Sequence, residues 1–170
     1  MTDNGNPPDG SVQAGPPSSG KSATRFDTIK VYLKDASFEA PSTPKIFTRL
    51  DVKLAHDIQI AIDHQLVDKT NHISEIILKA TVTAAHEDTT VYLAEVHQAG
   101  VFRIQHPDAN TRQIMIEVAC PGILLPFARE ELNNLVTKGG FGAFLLAPVN
   151  FESLYRSKQQ PKDSEPAQTH

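Results

Sequence analysis

Residues 72–104, HISEIILKATVTAAHEDTTVYLAEVHQAGVFRI, decide the fold. Ile76, Leu78, Ala80 and Val82 occupy alternate positions, opposite Lys79, Thr81 and Thr83. Successive side chains of a strand point to opposite faces, so this alternation predicts a half-buried β-strand. HEDT at 86–89 is a short polar connection that predicts a hairpin. Beyond it the alternation resumes, with Tyr92, Ala94, Val96 and Gln98 on one face and Leu93, Glu95 and His97 on the other.

Two earlier segments have the same period. In TIKVYLKDASFEA, 28–40, Tyr32, Ala36 and Phe38 are expected on one side, and Asp35, Ser37 and Glu39 on the other. Pro41 and Pro44 end that strand, because proline has no N–H for a ladder. In LAHDIQIAID, 54–63, Leu54, Ile58, Ile60 and Ile62 oppose Asp57, Gln59 and Asp63. VDKTN links this strand to the hairpin.

The spacing then becomes helical. PDANTRQIMIEVACPGILLPFAREELNNLVTKGG, 107–140, offers Asp108 or Asn110 as N-cap and Ile114, Met115 and Val118 as one stripe. Pro121-Gly122 and Pro126 predict two helices or one broken helix, the second piece starting near Leu124. Leu124, Phe127, Ala128, Leu132, Leu135 and Val136 are its expected apolar face, and Lys138 before Gly139-Gly140 its end. A short helix capped by Asn150 follows, with Phe151, Leu154 and Tyr155 on one side. Four strands followed by helices argue for an α+β fold: a four-stranded antiparallel sheet with a long broken helix and a short C-terminal helix on one face.

The ends read differently. Residues 1–25 hold one aliphatic side chain larger than alanine after Met1, Val12, among many Pro, Gly and Ser. So little apolar area does not offset chain entropy, and both this segment and 157–170 are expected to be disordered around a domain at 26–156. No apolar run approaches the roughly 20 residues that span a bilayer. The N-terminus has neither the basic flank nor the apolar stretch of a signal peptide. A single cysteine, Cys120, fits a reducing cytoplasm. Twenty acidic against 16 basic residues, formally −4, argue against nucleic acid or anionic membrane as the main partner.

Chemistry-bearing motifs are missing. The sequence has no GxxxxGK[ST], no GxGxxG and no cysteine pair for a metal. Seven histidines are scattered without the i, i+4 spacing of a helical metal site. Cys120, beside Val118 and Ala119, reads as a small buried hydrophobe more readily than as a thiol nucleophile. These patterns carry neither catalysis nor a cofactor.

One segment resists a purely structural reading. GGFGAFLLAPVNF, 139–151, carries three phenylalanines among three glycines and a proline, with neither helical nor strand period. Loops of this composition are normally polar, since irregular backbone needs water. Such residues either complete the subunit's core or interface, or line a groove for an unfolded chain.

LAEVHQAGVF at 93–102, CPGILLPFARE at 120–130 and APVNFESLY at 147–155 together resemble the SecB family of bacterial protein-export chaperones. KDASFEAP at 34–41 is similar to the family's first-strand signature. The resemblance spans most of the folded region. Departures are Gly122 where the family usually has Asn, Leu125 where it often has Phe, Phe127 where it has Tyr, and the absence of tryptophan.

The resemblance implies a homotetramer, a dimer of dimers, that holds unfolded precursors in the cytoplasm without ATP and delivers them to SecA. It implies a substrate groove at Phe141, Phe144, Leu145, Leu146, Phe151, Leu154 and Tyr155. It further implies SecA docking at Asp35, Glu39, Leu93 and Glu95, and an oligomer interface at Tyr92, Ala94, Val96 and Gln98. No cofactor, nucleic acid or membrane insertion is expected. The alternatives are a general or toxin–antitoxin-associated holdase independent of SecA, a small-ligand binder, and a thiol or metal enzyme using Cys120.

Overall fold

The computed structural model describes residues 24–159. Most of both expected disordered ends lies outside the described residues. β1 begins at Arg25 and the last helix reaches Gln159, so regular structure passes slightly beyond the expected limits of 26 and 156.

Four strands, β1 (Arg25–Glu39), β2 (Ala55–Asp68), β3 (Ile73–His86) and β4 (Thr89–Gln105), form one antiparallel sheet in the order β1-β4-β3-β2. The hairpin of β3 and β4 sits at its centre, turning at Glu87 and Asp88, with Glu87 at φ 53. Ala80 pairs with Val96 and Val82 with Ala94, which fixes the inward row. Ile76, Leu78, Ala80, Val82, Tyr92, Ala94, Val96 and Phe102 are all sealed from water.

β1 departs from the simple alternation. Its pairing with β4 slips at Lys34, so that Leu33 faces Gln98 while Asp35 faces His97. One extra residue reverses the faces on either side of a bulge. Tyr32, expected to share a face with Ala36 and Phe38, is therefore on the outward face opposite Ala99. Its hydroxyl donates to Glu75 there, and Lys34 Nζ reaches both Glu75 oxygens at 2.8 Å.

The helical layer covers the inward face. α1 (Ala109–Ile114) is capped by Asp108, whose carboxylate accepts from Thr111 N at 2.6 Å. A π-helical turn, Met115–Ala119, joins it to α2 (Cys120–Lys138). The irregularity thus comes before Pro121-Gly122, and the second piece starts at Cys120 rather than near Leu124. Pro121 sits in the first turn of α2, where a missing N–H costs nothing. Leu124, Leu125, Ala128, Leu132 and Val136 are the buried face of α2, each large aliphatic contributing about 1.5–3 kcal/mol. Phe127, expected among them, is 45% exposed on the other side.

α2 ends in a Schellman turn. Phe141 N donates to Val136 O at 3.2 Å and Gly140 N to Thr137 O at 3.0 Å, with Gly140 at φ 86. A Cβ on Gly139 would overlap the Phe38 ring, so this glycine permits close approach rather than loop mobility. α3 (Phe151–Gln159) follows, capped by Asn150 Oδ1, which accepts from Ser153 N at 3.0 Å. α2 packs mainly across β4 and β3, and the inward row of edge strand β2 is only partly covered. Ile58 on that row is exposed and Ile60 half-buried.

Candidate functional site

The segment between α2 and α3 divides its apolar residues between two environments. Phe144 (8% exposed) and Leu146 (2%) turn into the core, whereas Leu145 between them is 79% exposed. Phe144 N donates to Asn133 Oδ1 at 3.1 Å, which ties this otherwise irregular backbone to α2. Phe141 lies against Tyr92 (ring centroids 4.8 Å) and Phe47 (5.2 Å), and Phe38 stacks on Tyr92 at 5.7 Å. His56 Nε2 meets the Tyr92 hydroxyl at 3.0 Å. Burial pushes the Tyr92 hydroxyl pKa up from its ordinary value. Phe151 is buried as well. Phe144, Leu146 and Phe151 therefore anchor the loop, and Phe47, which sequence reasoning passed over, is the half-exposed ring at its rim.

Beside this anchored segment lies an open apolar furrow of about 570 Å3. Ile58 and Ile60 of β2 form one wall; Leu146, Val149 and Leu154 form the other, with Asn150, Ser153 and Ser157 adding hydroxyl and amide groups. Leu154 presents its side chain there at the edge of solvent. Tyr155, expected in the groove, instead directs its hydroxyl to Asn110 Oδ1 at 3.4 Å. Of the seven expected groove residues, Leu146 and Leu154 line the furrow, and Leu145 projects into water from the same segment. Ile58 and Ile60 were legible only as a strand face. Their exposure follows from α2 packing mainly on β4 and β3.

The outward face of the sheet is chemically different. Register places Glu39 opposite Leu93, Ser37 opposite Glu95 and Asp35 opposite His97, so Asp35, Glu39, Leu93 and Glu95 share one surface of β1 and β4. Asp35 and Glu39 are exposed, and Leu93 and Glu95 half-buried. Thr81 Oγ1 donates to Glu95 Oε2 at 2.9 Å, and His97 Nε2 lies 2.9 Å from Glu95 Oε1. Lys79, across from His97, is drawn to Asp63 at 2.5 Å. That hydrogen bond raises the Lys79 pKa and lowers that of Asp63.

Tyr92, Ala94, Val96 and Gln98 are buried under α2 within a single chain. Gln98 Nε2 donates to Tyr32 O at 2.9 Å. Cys120 is also sealed, and desolvation pushes its thiol up to about 12, far from a nucleophile's range. Among the described residues no helix is long and apolar enough to cross a membrane.

Three comparisons bear on this geometry. A family model described as preprotein translocase subunit SecB matches residues 19–162. Protein-export protein SecB of Halorhodospira halophila is 44% identical over 140 residues, covering 82% of this chain and 79% of the relative. That of Nitrosococcus oceani is 43% identical over 141 residues, covering 82% and 85%. Among solved structures, a SecB-like chaperone of Mycobacterium tuberculosis in complex with an antitoxin peptide superposes with a TM-score of 0.62. It is 13% identical and covers 74% of this chain and 91% of that one, a likeness of fold. With the matched model spanning the sheet, the long helix and the furrow-lining segment, the chain belongs to the SecB family.

Proposed function

We propose that this protein is an ATP-independent holdase that binds unfolded precursor polypeptides in the cytoplasm and keeps them competent for export. The observation carrying this reading is the open furrow between Ile58 and Ile60 on one side and Val149 and Leu154 on the other. Its occupant is an extended chain with large apolar side chains. Burying several of them at roughly 25 cal/mol per Å2 supports micromolar binding once ordering costs are subtracted. Apolar burial is not directional, and β2, an edge strand of the sheet among the described residues, offers backbone groups to any extended sequence, so recognition is broad.

Several weak furrows on one assembly multiply into avidity without a nucleotide cycle. The homotetramer belongs to this reading. Ile114 and Phe127, exposed on the helical layer, are apolar groups that a second copy would cover. Delivery to SecA is assigned to Asp35, Glu39, Leu93 and Glu95, where acidic groups around one leucine suit a basic partner in a salt-sensitive contact. A toxin–antitoxin role has only the fold-level neighbour behind it, at 13% identity, against 37–44% for the export relatives.

The test is calorimetric titration of a permanently unfolded polypeptide into wild type and Leu154→Asp. A charge in the furrow should weaken binding about tenfold or more, equivalent to about 1.4 kcal/mol. Undiminished binding by a folded Leu154→Asp protein would remove the furrow as the client site.

A further inference from the structure

We propose that Asp35, Glu95 and His97 form a binding site for a divalent transition-metal cation, zinc by its donor chemistry, on the outward face of the sheet. One donor atom from each of the three side chains lies within 4.8 Å of the other two. This proximity is set by backbone register. Asp35 and His97 are cross-strand partners, and Glu95 is two residues from His97 on the same face of β4. The Lys34 bulge matters here, because it brings Asp35 rather than Lys34 opposite His97.

Imidazole with two carboxylates is a donor set zinc accepts, at about 2.0–2.2 Å per bond, leaving a fourth position for water. Donors around such an ion stand roughly 3.5 Å apart. His97 Nε2 and Glu95 Oε1 are 2.9 Å apart in a direct contact, so an ion would take the place of the proton between them, the pair opening to about 3.5 Å while exposed Asp35 completes the set. The Thr81 hydroxyl holds Glu95 by its other oxygen, Oε2, which leaves Oε1 for the ion. The nearest cation on the neighbouring strand, Lys79, is occupied by Asp63.

Two of the three ligands are the acids assigned above to partner docking, so the regulatory consequence rests on that reading. Zinc would neutralise Asp35 and Glu95 together and compete with a basic partner. The site itself does not depend on the docking assignment, and His97 separates the two.

The experiment is native mass spectrometry and calorimetry of the full chain with zinc chloride alone, on wild type, Asp35→Asn and His97→Ala. One zinc per chain is expected for wild type, with affinity falling at least about tenfold in both variants. Equal zinc binding by wild type and His97→Ala, or none by wild type, overturns the site. Partner binding, measured first in chelator, tests the docking reading separately. Added zinc should then weaken it in wild type and leave His97→Ala unchanged.

Discussion

The furrow beside β2 and the acidic patch on β1 and β4 are built by opposite means. The patch is made of regular strands: register alone puts Glu39 beside Leu93 and Asp35 beside His97. The furrow is made where regular structure stops, along a partly covered edge strand and a twelve-residue connection, 139–150, with no repeating hydrogen bonds of its own. A surface on a sheet inherits its geometry from the ladder. A surface on a loop needs anchors, and here the anchors are drawn from the same kinds of residue as the contacts.

Adjacent leucines in that connection give the sharpest way to break the comparison. Leu146→Ala should cost about 3 kcal/mol of folding free energy, because a fully packed side chain leaves a cavity. Leu145→Ala should stay within about 0.5 kcal/mol of wild type. Chemical denaturation of the pair measures both. Equal losses would mean that the loop does not sort its residues into anchors and contacts.

Gly139→Ala comes next, since its Cβ would meet the Phe38 ring and force the end of α2 off the sheet. An overpacking loss of about 2 kcal/mol is expected in the same denaturation assay. An unchanged midpoint would show that the α2 end is free to move, as a purely adjustable loop would be.

On the patch, Asp35→Asn with Glu95→Gln should leave thermal stability nearly untouched. On the proposed docking at this patch, SecA affinity should weaken about tenfold at low salt, and the difference should shrink as salt rises. Client binding at the furrow should not change. A client defect in that variant, read by calorimetry, would merge the two surfaces into one.

The smallest effect belongs to Glu75. Lys34 and the Tyr32 hydroxyl hold its carboxyl below the usual range. A carboxylate with a depressed folded-state pKa adds stability above its unfolded pKa, and that stability fades as pH falls through the folded value. Stability should therefore drop below about pH 4, and Glu75→Gln should flatten that acid limb while costing about 1 kcal/mol at neutral pH. A limb as steep in the variant would assign the acid sensitivity to other carboxylates.

Alternation in 72–104 was enough to read the central hairpin, its inward row and the acidic outward row, because side-chain direction in a strand is a counting problem. The same counting failed once, at Tyr32. A bulge changes parity without leaving a mark in composition, and Lys34 looks like any other residue of its strand. The helix was legible as a helix, but its irregularity was misplaced. Pro121-Gly122 reads as a break only until Pro121 is seen in the first turn of α2, where proline is tolerated.

For the candidate site, sequence picked out the right segment without distinguishing its members. Phe144, Leu145 and Leu146 are alike in hydropathy, and local pattern does not decide which of three consecutive apolar residues faces solvent. Ile58 and Ile60 were beyond reach for a different reason: an inward row is normally core, and it becomes the wall of an open furrow only when the covering helix is too narrow to reach it.

By itself the sequence determined the strands, the helices, the turn chemistry and the family, since these depend on neighbours along the chain and on motifs that stay contiguous. Tertiary structure alone decided which apolar side chains are left over. Exposure depends on what packs above a residue, and for Leu145, Ile58 and Leu154 that neighbour comes from distant chain or does not come at all.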